Sequence, residues 1–67
     1  MPLINVTLTS GRTDAQIAAL GPAITRAVVD ALDARPESIR VSIALCEPEH
    51  FFIGGDSMAA LRASGRR

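Results

Sequence analysis

TDAQIAALGPAITRAVVDAL, residues 13–32, is the stretch on which the fold turns. Thr13 followed three residues later by Gln16 matches a capping box, and Asp14 suits the positive end of a helix dipole. Ile17, Leu20, Ile24, Ala27, Val28 and Ala31 then recur at three- and four-residue steps, a single apolar stripe running down to Leu32. The spacing predicts one long helix. Gly21-Pro22 interrupts it, since Pro22 has no N–H to donate to the carbonyl of Ala18, but the stripe keeps its phase across the pair. A kink is therefore expected at Pro22 and not a terminus.

Working outward, residues 2–8 read Pro-Leu-Ile-Asn-Val-Thr-Leu, with Ile4, Val6 and Leu8 on one face and Leu3, Asn5 and Thr7 on the other. This is a strand, broken by Ser10-Gly11-Arg12. On the far side, Arg35-Pro36-Glu37-Ser38 reads as a connection. Ile39, Val41, Ile43 and Leu45 then alternate with Arg40, Ser42, Ala44 and Cys46 as a second strand. Two strands joined by a helix of this length suit a right-handed βαβ crossover with the strands parallel. The fold class is thus α/β, one domain over residues 1–67. Pro48 ends the second strand. Phe51-Phe52-Ile53-Gly54-Gly55 reads as a short hairpin or as a strand that pairs with another subunit. Residues 57–62 suit one turn of helix, and 63–67 read as a loose polar tail.

The chain has 67 residues, seven carboxylates balanced by seven basic residues, all of them arginine, and a net charge of zero. With no basic excess, a nucleic-acid partner is disfavoured. A domain this small buries only about 60% of its unfolded surface and usually needs a disulfide, a metal or association. Cys46 and His50 are the only residues of their kinds, so no intrachain disulfide forms and a zinc site would need ligands shared between subunits. Yet 48% of the residues are hydrophobic. Copies of the same chain are the simplest cover for that surface. Residues 3–8 are apolar but too short for a membrane span and follow no basic region, so no membrane is expected and the cytoplasm is the default compartment.

Met1-Pro2 adds chemistry to this frame. Removal of the initiator methionine would turn Pro2 from an amide without basicity into a secondary amine, a base whose reference pKa is about 8 before burial or nearby cations lower it. Pro2, Gly11-Arg12, Arg40 and His50-Phe51-Phe52-Ile53-Gly54-Gly55 together resemble the 4-oxalocrotonate tautomerase family, and the likeness runs without a gap from Pro2 to about Arg62, together with the terminal arginines. The resemblance implies a βαβ subunit with a C-terminal hairpin, assembled as a hexamer built from dimers. It implies keto–enol isomerisation of a small anionic enol or unsaturated keto acid, with Pro2 as general acid and base and no metal or organic cofactor. By position it makes Arg40, entering from a neighbouring subunit, the catalytic partner at the carboxylate and oxygen beside the reacting carbons. Arg12 would grip the distal carboxylate, Phe51 would keep the site apolar, and Arg62 would be a further arginine near the substrate. The physical logic holds independently of the name: cations disfavour a protonated amine, and a guanidinium fork holds a carboxylate and a developing enolate.

Each residue also has a plainer use. Arg12 would serve as a solvated residue at a helix start, Arg40 as half of a surface ion pair, and Phe51 or Phe52 as packing. His50 reads as a hairpin residue and Cys46 as a small apolar one. Gly21-Pro22 and the second aromatic, Phe52, depart from the family pattern; Phe52 bears on which acid fits. Two other functions stay open at this point. One is a hydratase or dehalogenase of an unsaturated acid, although neither Glu47 nor Glu49 falls where the resemblance would place a water-activating carboxylate. The other is a catalytically silent oligomeric binding protein, should Met1 be retained.

Overall fold

The computed structural model describes residues 2–65. Met1, and with it the state of the Pro2 nitrogen, lies outside them, as do Arg66 and Arg67 at the end of the expected tail. The order of elements is β1 (Leu3–Thr9), α1 (Asp14–Leu32), β2 (Arg40–Cys46), β3 (Phe52–Ile53), β4 (Asp56–Ser57) and α2 (Met58–Ala63). Strands β1 and β2 are parallel and paired along their whole length, from Leu3 opposite Arg40 to Thr9 opposite Cys46. The βαβ unit and the C-terminal hairpin are thus as the sequence led one to expect.

Local chemistry explains the elements. Thr13 and Gln16 form the capping box in both directions: the Gln16 N–H donates to Thr13 Oγ1 at 3.1 Å and the Thr13 N–H donates to Gln16 Oε1 at 2.9 Å. Helix α1 runs through Pro22 without ending. Gly21 explains part of this tolerance. The ring of a proline crowds the Cβ of the residue before it when that residue is helical, and glycine has none. Asp33 closes α1 in the left-handed region at φ 52°. Gly54 and Gly55, at φ 60° and 91°, are the two central residues of the β3–β4 turn, where both must be positive. Ser57 then caps α2 by accepting from the Ala60 N–H at 3.1 Å. After Ala63 the chain stays hydrogen-bonded as far as Gly65, whose N–H donates to the Arg62 carbonyl at 3.1 Å.

The sheet has two unlike faces. Ile4, Val6 and Leu8 share one with Val41, Ile43 and Leu45; Leu3, Asn5 and Thr7 share the other with Arg40, Ser42 and Ala44. The first faces the apolar stripe of α1, where Ile17, Leu20, Ile24 and Val28 are half-buried. Among the described residues only Leu61 is buried, and none is buried completely. Leu3, Leu45 and Phe52 stand 61%, 57% and 59% exposed. The chain presents 4794 Å² of accessible surface, against about 4,000 Å² expected of a compact monomer of this mass. Its radius of gyration is 15.0 Å, where a compact chain of this length would have about 11 Å. A single copy leaves its apolar surface without a core.

By length and composition alone, α1 is long and apolar enough to cross a membrane, a feature that lies outside residues 3–8. The topology gives the apolar content another use. A helix that returns the chain from the end of β1 to the start of β2, with those strands paired throughout, cannot enter a bilayer without taking their polar edges with it.

Candidate active site

The five residues singled out in the sequence fall at two ends of the sheet. Pro2 stands just before β1, half-buried, and its carbonyl accepts the Arg40 N–H at 3.0 Å. Pro2 is therefore pinned at the start of the sheet while its nitrogen takes no part in the ladder. Arg40 opens β2. Its side chain leaves on the face of Leu3, Ser42 and Ala44, the face opposite to that of Pro2 by alternation, and its Nη1 donates to the Ser38 carbonyl at 3.1 Å.

Arg12 lies beyond the other end of β1. Gly11 takes φ 128°, a value that suits glycine, and turns the chain so that Arg12 stands at a groove of about 290 Å³ lined by Leu8, Arg12, Gln16, Ile17 and Leu20. Three aliphatic side chains and one guanidinium make a place for a small apolar anion. The Gln16 amide oxygen is already used on the helix cap. Arg62 reaches the same end from α2, its Nη2 donating to Thr9 Oγ1 at 2.7 Å and its Nη1 to the Ser10 carbonyl at 3.4 Å. Phe51, half-buried between a 3-10 turn (Pro48–His50) and β3, follows β2 and so belongs to this end too; its carbonyl accepts the Met58 N–H at 2.7 Å.

The seven residues of β1, at about 3.3 Å each, put more than about 20 Å between Pro2 and the loop that carries Arg12. One chain therefore pairs Pro2 with Arg40 and, separately, Arg12 with Arg62 and Phe51, and does not bring all five together. A site holding Pro2 and Arg12 on one small molecule has to draw them from different copies. The sequence reading missed the anchoring of Arg62 on Thr9 and Ser10, a contact between segments 52 and 53 residues apart that no local pattern announces. It also read Leu8, Ile17 and Leu20 only as core. The remaining polar candidates stay apart: His50, Glu47 and Glu49 are exposed, and the Cys46 thiol donates to the Glu47 carbonyl at 3.6 Å. Among the described residues no three His, Cys, Asp or Glu side chains converge.

Comparison with known proteins places the sequence and the fold in one family. A family model described as "Tautomerase enzyme" matches residues 2–61. The 2-hydroxymuconate tautomerase of Pseudomonas sp. (strain CF600) is 36% identical over 62 residues, covering 92% of this chain and 98% of that protein. Among solved structures, TomN, a 4-oxalocrotonate tautomerase homologue in the tomaymycin biosynthetic pathway, superposes with a TM-score of 0.92 at 45% identity, covering 96% of this chain and 98% of that one. A heterohexamer 4-oxalocrotonate tautomerase from Chloroflexus aurantiacus J-10-fl superposes with a TM-score of 0.85 at 37% identity, covering 92% and 100%.

Proposed function

The chain belongs to the tautomerase enzymes, and from that premise we propose that it isomerises a small anionic enol or unsaturated keto acid, using the nitrogen of Pro2 as general acid and base once Met1 has been removed. The observation that carries the reading is the hydrogen bond from the Arg40 N–H to the Pro2 carbonyl, which fixes the first residue at the sheet edge with its nitrogen out of the ladder. In the forward direction that nitrogen takes the enol O–H proton. The oxygen becomes a carbonyl, the double-bond electrons move to carbon, and the prolinium returns the proton there. Atoms and electrons balance without any co-reactant.

Arg40 of a neighbouring copy holds the near carboxylate and the oxygen on which charge develops. Its side chain leaves the sheet on the face opposite to its own Pro2, which favours service to another chain. Arg12 of another copy grips the distal carboxylate over its apolar groove, with Phe51 keeping water out and Arg62 near it at the same end. The cytoplasmic setting expected from the sequence belongs to the same proposal. Incubating processed protein with a series of small enol acids in deuterated water tests it: ketonisation with deuterium at the accepting carbon is expected. Water addition to an unsaturated acid, or halide release from a halogenated one offered in parallel, without ketonisation of the enol acids would put the hydratase or dehalogenase reading in its place, and binding without turnover would leave the silent one.

Association of copies follows from the same reading. The Chloroflexus relative is a heterohexamer by its description, and a chain in which Leu61 alone is buried among the described residues has little to hold it folded by itself. We propose a homo-oligomer, a hexamer by that analogy. Its thermal midpoint should then climb with protein concentration. A midpoint constant over about a hundredfold range of concentration, in a well-folded monomer, would contradict shared sites.

A further inference from the structure

Resting on that reading of Arg12, we infer that Arg62 is a positioning residue that sets where Arg12 presents its guanidinium, and that substrate contact is left to Arg12. Ser10 is held from both sides. Its N–H donates to the Cys46 carbonyl at 3.0 Å, and its own carbonyl accepts from Arg62 Nη1 at 3.4 Å. One residue earlier, Thr9 Oγ1 accepts from Arg62 Nη2 at 2.7 Å, the shorter and stronger of the two charge-assisted bonds. One residue after Arg12, Thr13 is fixed by the reciprocal capping box. The free segment between these two anchors is Gly11-Arg12 alone. Gly11 at φ 128° is the flexible member. Without Arg62, one anchor would rest on the Cys46 carbonyl only, and the Arg12 guanidinium would range more widely over its groove. The two guanidinium bonds of Arg62 go to Thr9 at the end of β1 and to Ser10 at the start of the loop, and none to the groove-lining residues.

A double-mutant cycle on the full chain tests this, with KM and kcat measured on an accepted enol acid. Arg62→Ala is expected to raise KM about five- to tenfold and leave kcat nearly unchanged, as the loss of binding common to ground and transition states does. In an Arg12→Ala background the same change should cost nothing further. Thr9→Val, which removes the closer acceptor without touching α2, should reproduce a smaller rise in KM, and keeps the test alive if Arg62→Ala fails to assemble. Arg62→Lys, able to reach one acceptor but not both, should recover part of the affinity. If the KM effects of Arg12→Ala and Arg62→Ala multiply, Arg62 contacts substrate directly and the inference is wrong. If Arg12→Ala raises KM while neither Arg62→Ala nor Thr9→Val does, it is wrong as well. An Arg12→Ala enzyme with wild-type KM would instead overturn the assignment of Arg12 on which it rests.

Discussion

Arg40→Ala should lower kcat by about a hundredfold or more, the usual cost of removing a group that stabilises charge developing in the transition state. In the single chain the guanidinium is held on the Ser38 carbonyl at 3.1 Å. Moving to a bound substrate exchanges that neutral acceptor for a carboxylate and an incipient enolate, which its planar fork meets with two parallel bonds. As the enol loses its proton the oxygen gains charge, so the contact strengthens along the reaction and its loss falls on kcat. Arg12 is different. It stands beyond the far end of β1 beside an apolar groove, where a distal carboxylate carries the same charge before and during the reaction. Arg12→Ala should therefore raise KM much more than it lowers kcat. Steady-state kinetics of both variants, after confirming that each remains assembled, make the comparison. Co-assembling Arg40→Ala chains with chains whose Pro2 nitrogen is blocked adds a geometric check: a site taking Pro2 and Arg40 from different copies regains activity in the mixture. Wild-type kinetics in Arg40→Ala would remove the shared-site account together with the roles assigned to both arginines.

What could be read from the sequence was what depends on neighbours a few residues apart. The Thr13–Gln16 capping box, the three- and four-residue stripe of α1, the alternation of β1 and β2 and the Gly54-Gly55 turn are local, and each stands in the structure as expected. The passage of α1 through Pro22 was legible for the same reason, because Gly21 and the unbroken phase of the stripe lie beside it. Placement of the site was legible only in part. The resemblance supplied the five residues, but not that Pro2 and Arg12 lie at opposite ends of one strand, which follows only when β1 is seen to run its full seven residues. The Arg62 contacts with Thr9 and Ser10 were beyond reach because they depend on how α2 folds back across the chain. Alternation in β2 told which residues share a face, yet Leu45, on the helix-facing side, is 57% exposed. A pattern of apolar residues says which side is to be covered and is silent about whether the same chain does the covering. Here much of it is left open, as a subunit built for neighbours requires.

The account stands or falls on the nitrogen of Pro2. With Met1 attached, that nitrogen is a tertiary amide, its lone pair delocalised into the peptide bond, and it can neither take nor return a proton. With Met1 removed it is a secondary amine of reference pKa about 8, able to take and return a proton near neutral pH. Replacing Pro2 by alanine is the weaker test, because a primary amine at the same place retains part of the chemistry. Blocking the nitrogen removes the proton carrier outright. A positioned general acid–base group contributes about a hundred- to ten-thousandfold to rate, and that is the expected loss. The direct measurement is kcat on one accepted enol acid for processed protein and for protein retaining Met1, with intact mass establishing the first residue and sedimentation establishing equal assembly. The mechanism predicts that turnover falls at least about a hundredfold when Met1 is kept; equal turnover by the two forms would contradict it.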